Sequence, residues 1–130
     1  MRMASDPSRP FSTAELADEF GISRNHLTKA VRTLANAGIV ETRRGTGGGA
    51  VLAQPPERVS VGRVVAILEA RSALVECFQA DGGTCVVTAS CRLKGMLEKA
   101  RSAFIPELDQ FTLADCPLDA PTGGADGRHA

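Results

Sequence analysis

Mainly α with a small β-hairpin wing is the fold class this sequence predicts: a winged helix-turn-helix followed by a long helix. Three observations predict it. Two short amphipathic segments, each opened by a serine, flank Gly21. A basic, glycine-rich run, Arg43-Arg44-Gly45-Thr46-Gly47-Gly48-Gly49, separates two short β-prone stretches. Apolar residues then recur at helical spacing from Leu93 to Phe104. With no Trp, no Tyr and five Phe in 130 residues, the core must come from Leu, Val, Ile and Ala. Such a core favours small helical packing completed by a partner chain.

Residues 1–10 hold two prolines and no periodicity, and predict an irregular lead-in. Ser12-Thr13-Ala14-Glu15 has the S-x-x-E capping-box pattern, so a helix should start at Thr13 with Leu16, Ala17 and Phe20 on its apolar face. Gly21 should end it and Ile22 turn inward. Ser23 then caps a second helix, where Leu27, Ala30, Val31 and Leu34 recur at i, i+3, i+4, i+7 and Gly38 is the stop. Ile39–Thr42 and Ala50–Ala53 predict paired strands. Pro55-Pro56 breaks the chain. Ser60 caps a third helix with Val61, Val64, Val65 and Leu68 at the same spacing. From Arg92 a longer helix carries Leu93, Met96, Leu97, Ala100, Ala103 and Phe104 along one stripe, and Pro106 should kink or end it near Ile105. Leu108, Phe111 and Leu113 predict one more short helical piece.

The second helix shows Ser23, Arg24, Asn25, His26, Lys29 and Arg32 away from its apolar face. Singly, such residues describe a solvated surface. Joined to a capped helix before them and a basic hairpin after them, they predict DNA binding. In the hairpin tip, Arg43 and Arg44 supply attraction for phosphate and Gly45 lets the backbone approach closely. The tip lacks the Gly-Lys-Ser/Thr ending of a phosphate-binding nucleotide loop, and no helix follows it. Charge agrees. Residues 1–66 hold nine Lys/Arg against six acids, +3, and residues 67–130 hold six against nine, −3.

Three of the four cysteines fall in one stretch, Cys77, Cys85 and Cys91, spaced C-x7-C-x5-C, with Gly82-Gly83 loosening the first interval. Three thiolates from a loop and a helix start suit a metal or an iron–sulfur cluster, one ligand short of the usual four. The chain shows no signal peptide and no apolar run long enough for a membrane, which predicts a cytoplasmic protein whose thiols stay reduced. Cys116 reads as a small apolar residue, because a helix over 92–105 spans about 20 Å. His26 reads as a DNA contact, and His129 carries no role. No nucleophile–base pair, nucleotide motif or carboxylate dyad points to an enzyme.

The chain resembles the iron–sulfur winged-helix repressors, the family of the cluster regulator IscR and the nitric-oxide sensor NsrR. The resemblance rests on Ile22-Ser23-Arg24-Asn25-His26-Leu27, on Arg43–Gly49, on Leu74-Val75-Glu76-Cys77-Phe78 and on Cys91-Arg92-Leu93-Lys94. Ala103-Phe104 and Thr112-Leu113-Ala114-Asp115 complete it, from about Phe11 to Asp115. The Leu-Val-x-Cys opening and the Cys-Arg-Leu-Lys close point to the NsrR-like branch. The resemblance implies a homodimer on a palindromic double-stranded operator, with a [4Fe-4S] or [2Fe-2S] cluster on Cys77, Cys85 and Cys91. It implies a repressor that loses operator affinity when nitric oxide nitrosylates the cluster or the cluster is lost. It also implies a division into a reading head over 11–69, a cysteine loop over 70–92 and a dimerisation helix over 93–115; after Asp115 the chain has too little apolar content to fold, which predicts a disordered tail over 116–130.

Family members carry an extra helix before the position of Phe11, of which Met1-Arg2-Met3-Ala4 would be the remnant. The expectation is an upstream natural start or a shortened paralogue, and the fourth cluster ligand has no assignment. Two other functions use the same residues. One is a cluster-free thiol-redox or zinc-responsive regulator. The other is an adaptor or dimerisation subunit that binds DNA weakly.

Overall fold

The computed structural model describes residues 1–70 and 90–118. They belong to two compact units, one of Met1–Val59 with the segment from Thr112 onward, the other Ser60–Phe111. The first contains α1 (Arg2–Ser5), α2 (Thr13–Phe20), α3 (Arg24–Asn36), β1 (Val40–Arg43), β2 (Gly49–Leu52) and 3₁₀ turns at Pro56–Arg58 and Leu113–Asp115. The second contains α4 (Val61–Leu68) and α5 (Arg92–Leu108).

α2 begins at Thr13 because the Ser12 hydroxyl accepts the Glu15 N–H at 3.0 Å. The reciprocal half of the capping box is not made. The Glu15 carboxylate instead pairs with the Arg9 guanidinium. Gly21 ends α2 in the left-handed conformation, and Ser23 opens α3 by accepting the His26 N–H. Between these two caps Ile22 is 48% exposed, not turned inward. Its backbone is fixed by the caps and by its N–H bond to the Ala17 carbonyl at 3.0 Å, and that geometry overrides its hydrophobicity.

The hairpin forms with register Val40↔Leu52, Glu41↔Val51, Thr42↔Ala50 and Arg43↔Gly49, each strand shifted by one residue from its predicted span toward the turn. A third stretch joins it. Phe11 N–H donates to the Ala50 carbonyl at 2.9 Å, and Ala50 N–H donates to the Phe11 carbonyl at 2.7 Å. Within the lead-in, Arg2–Ser5 form a helical turn where the sequence predicts irregular chain. A long-range ion pair from Arg2 Nε to Glu19 Oε1, 2.8 Å, accounts for that order. Local pattern has no means of reporting it.

The buried apolar side chains of the described residues are Phe11, Leu16, Ala17, Val31, Ile39, Val40, Ala50, Val51, Val59 and Leu113, all in the first unit. The predicted apolar faces of α2 and α3 supply part of this core. Leu113 enters it from the far end of the chain, where its N–H bonds the Val59 carbonyl at 2.9 Å. Thr112 and Asp115 hold that turn with a complete capping box.

In the second unit α4 packs on α5. Ser60 caps α4 by accepting the Arg63 N–H at 3.0 Å, as its position predicts. Its hydroxyl also donates to the Asp109 carboxylate just past the end of α5. α5 continues through Pro106 to Leu108, so it does not end near Ile105. Proline removes one N–H from the ladder, but Asp109 N–H resumes it on the Ile105 carbonyl at 2.9 Å. Of the predicted final helical piece, Leu108 belongs to α5, Phe111 is exposed and Leu113 lies in the 3₁₀ turn.

Candidate nucleic-acid interface

α3 separates its two faces cleanly. Val31 is buried, and Leu27, Ala30 and Leu34 are half-buried. Asn25, Lys29, Arg32 and Asn36 recur at i, i+4, i+7, i+11, which places them along one stripe, and all four are exposed. Arg24 and His26 are exposed in the first turn. Among the described residues Arg24, Lys29, Arg32 and Arg44 have no carboxylate partner. Among the described residues their charge is not spent on an internal pair. The Thr28 and Thr33 hydroxyls are spent: they donate back to the Arg24 and Lys29 carbonyls at 2.8 and 2.9 Å. The Ser23 hydroxyl serves α3 as its cap.

The wing follows α3 after a short link, and α3 packs on β1, so both belong to one folded unit. Arg43, Arg44 and Gly45 are all exposed at its tip. The closest acid to Arg43 is Glu41, at 3.9 Å and with both side chains more than half exposed. An exposed pair of that kind contributes at most about 1 kcal/mol, so Arg43 remains available to another anion. Gly48 N–H closes the tip on the Gly45 carbonyl at 3.0 Å.

Sequence reasoning missed the groups that brace this surface. The Phe11 ring is fully buried, with the Arg2 and Arg9 guanidinium carbons 4.7 and 4.3 Å from its centroid. Arg2 is held in turn by Glu19. Leu118 N–H donates to the Ser5 hydroxyl at 2.8 Å, tying the segment after the 3₁₀ turn to the lead-in. The capping pattern at Ser12 was the only local signal in this region.

Of the three expected cluster ligands, Cys77 and Cys85 lie outside the described residues. Cys91 is a half-buried free thiol immediately before α5. It occupies the N-cap position without capping, since its side chain accepts no backbone N–H. Its sulfur is thus not committed to the helix, as a ligand's must not be, and sulfur is the donor an iron–sulfur cluster takes. Cys116 is in the first unit, with Sγ 3.6 Å from the Thr112 carbonyl. Burial lowers the Met1 amino group below its ordinary value, and the Cys116 sulfur near it acts the other way. Among the described residues no three His, Cys, Asp or Glu side chains converge as a metal site.

α5 carries the exposed stripe. Leu93, Met96 and Phe104 are 58%, 65% and 56% exposed, while Leu97, Ile105 and Leu108 are half-buried. No described helix is long and apolar enough to cross a membrane.

A family model described as Rrf2, iron-dependent transcriptional regulator, matches residues 1–117. The HTH-type transcriptional regulator NsrR of Shouchella clausii is 42% identical over 108 residues, covering 83% of this chain and 72% of the relative. Among solved structures, T. potens IscR superposes with a TM-score of 0.62 at 25% identity, over 87% of this chain and 73% of that one. CymR, the global cysteine regulator of B. subtilis, superposes with a TM-score of 0.62 at 28% identity, over 88% and 82%.

Proposed function

The chain belongs to the Rrf2 family of transcriptional regulators, a repressor and not an enzyme, and from that premise we propose a cluster-dependent, nitric-oxide-responsive repressor of cytoplasmic location. Two copies bind a palindromic operator. In each, Arg24, Asn25, His26, Lys29 and Arg32 of α3 enter a major groove, with Ser23 fixing the start of the helix. Arg43, Arg44 and Gly45 approach the flanking minor groove. The observation that carries this reading is the exposed α3 stripe whose cations have no carboxylate partner among the described residues. Helical propensity gives no reason to leave Lys29 and Arg32 on the exposed stripe, and Arg24 in the first turn, without a carboxylate partner among the described residues, whereas a polyanion does.

Cys77, Cys85 and Cys91 hold the iron–sulfur cluster. When bound, the cluster supplies iron that reacts with nitric oxide. The chain's own part is mechanical. Cys91 immediately precedes the first residue of α5, so release of its sulfur frees the start of the helix that carries the exposed apolar stripe. That stripe is the dimer contact, and the dimer sets the separation of the two reading heads on DNA, about one helical turn. This reading takes the reading head as 11–69, the cysteine loop as 70–92 and the dimerisation segment as 93–115.

The test is an absorption spectrum of protein purified without oxygen, titrated with nitric oxide while DNA binding is followed. The reading expects a visible band that bleaches on titration, affinity that falls with it, and loss of the band in Cys85→Ala. Colourless protein with one zinc or a reversibly oxidised thiol replaces it with the cluster-free regulator. DNA binding insensitive to salt, with the site loaded, replaces it with the adaptor.

A further inference from the structure

Phe11 and Gly49 occupy one close approach. The two hydrogen bonds between Phe11 and Ala50 bring the Phe11 backbone alongside β2, the strand that returns from the wing tip. A Cβ on Gly49 would lie 2.7 Å from both the Phe11 carbonyl carbon and its oxygen, and Gly49 has φ +150°. Backbone cannot yield as the end of a flexible side chain can. A side chain at 49 must therefore part β2 from Phe11 or move the wing. Phe11 itself is held firmly, fully buried with two guanidinium groups against its ring and with the Arg2–Glu19 pair only 17% and 14% exposed.

We propose that Phe11 and Gly49 are positioning residues for the wing: the lead-in, locked by Arg2 and Glu19, sets where the Arg43-Arg44 tip stands relative to α3 through the contact that Gly49 permits. This rests on the reading of the wing as a DNA contact. Neither residue touches DNA. They act by fixing the base of a hairpin whose tip does, so that the arginines meet phosphate without an ordering cost on binding.

The test is a double-mutant cycle on the full chain with a mixed-sequence DNA duplex, reading the slope of log affinity against log salt. Each phosphate contact contributes about 0.9 to that slope. Replacing both Arg43 and Arg44 by Ala should lower it by about 1.8 in the parent. In a Gly49→Ala background the slope should already be reduced, and the same arginine replacement should remove less than half as much. A Gly49→Ala protein with the parental slope and the full arginine effect overturns the proposal. If Gly49→Ala does not fold, Glu19→Ala takes its place in the cycle under the same criterion. Losing that acid favours DNA binding by charge alone, so a fall in affinity there supports positioning and a rise overturns it. If the arginine replacement leaves the parental slope unchanged, the wing reading itself fails, and this proposal with it.

Discussion

The Ser60 hydroxyl donates to the Asp109 carboxylate while accepting the Arg63 N–H, so one side chain both caps α4 and ties it to the end of α5. Gly62 is buried beside the same carboxylate, and a Cβ there would lie 2.7 Å from the Ile105 carbonyl oxygen. Two kinds of damage should follow from two substitutions. Asp109→Ala removes one hydrogen bond and should cost about 1 kcal/mol. Gly62→Ala drives a methyl group into backbone and should cost about 1–3 kcal/mol, despite the better helix propensity of alanine. Urea unfolding measures both. Gly62→Ala as stable as the parent would show that the two helices do not approach this closely.

At the start of α2 the capping pattern is only half used. Ser12→Ala should destabilise by about 1 kcal/mol, because the Glu15 N–H loses its acceptor. Glu15→Ala loses an exposed pair with Arg9 and no cap bond, so its cost should stay below about 1 kcal/mol. Equal costs in denaturant would mean that Glu15 closes the box in solution after all.

The contrast between Ser12 and Glu15 shows how far the sequence was legible. Caps at Ser12, Ser23 and Ser60, the apolar faces of α2 and α3, and the basic hairpin are written in spacings of three or four residues or in a glycine run. Each could be read locally, and with them the winged helix-turn-helix. What escaped was non-local. Phe11 against Gly49, Arg2 with Glu19 and Ser60 with Asp109 join positions 17 to 49 residues apart, and no periodicity records such pairs. The inward turn of Ile22 and the helix end at Pro106 failed for another reason. There a local preference was read correctly, but caps on either side of Ile22 and the resumed ladder after Pro106 outweighed it. The α3 stripe was legible as a face. Its lack of carboxylate partners among the described residues was not, because Glu19 stands five residues before Arg24 and Glu41 nine after Arg32 in sequence.

Pro106 stands exposed inside α5. Pro106→Ala restores the N–H that the Ser102 carbonyl lacks and removes the ring from the preceding turn. The variant should be more stable by about 1–3 kcal/mol, with higher helix content by circular dichroism. A drop in stability would mean that the proline shapes a packed bend.

The two described cysteines should separate by colour. Cys91 holds the N-cap position with its sulfur uncommitted, whereas Cys116 sits against the Thr112 carbonyl in the other unit. Cys91→Ala should abolish both bound iron and the visible band of anaerobic protein. Cys116→Ala should retain both and cost roughly 1 kcal/mol or less of stability, as expected of a half-buried small side chain. Loss of iron from Cys116→Ala alone would move the ligand set to residues the proposed function does not use.

The exposed stripe of α5 makes the strongest claim on oligomeric state. Leu93, Met96 and Phe104 are each more than half exposed and recur at i, i+3 and i+11, which keeps them near one face of a helix of 17 residues. Apolar groups left in water add nothing to the fold of a single chain, so replacing them should cost the monomer little. Met96→Lys combined with Phe104→Glu should therefore leave thermal unfolding of dilute protein nearly unchanged. It should convert a dimer to a monomer by analytical ultracentrifugation. A palindromic site binds two reading heads at once, and the linkage raises affinity by about 10²–10⁴ over one head alone. The double variant should lose operator affinity on that scale while keeping its weak binding to a half-site. A variant that stays dimeric would place the interface elsewhere. One that becomes monomeric yet holds full operator affinity would show that a single reading head suffices.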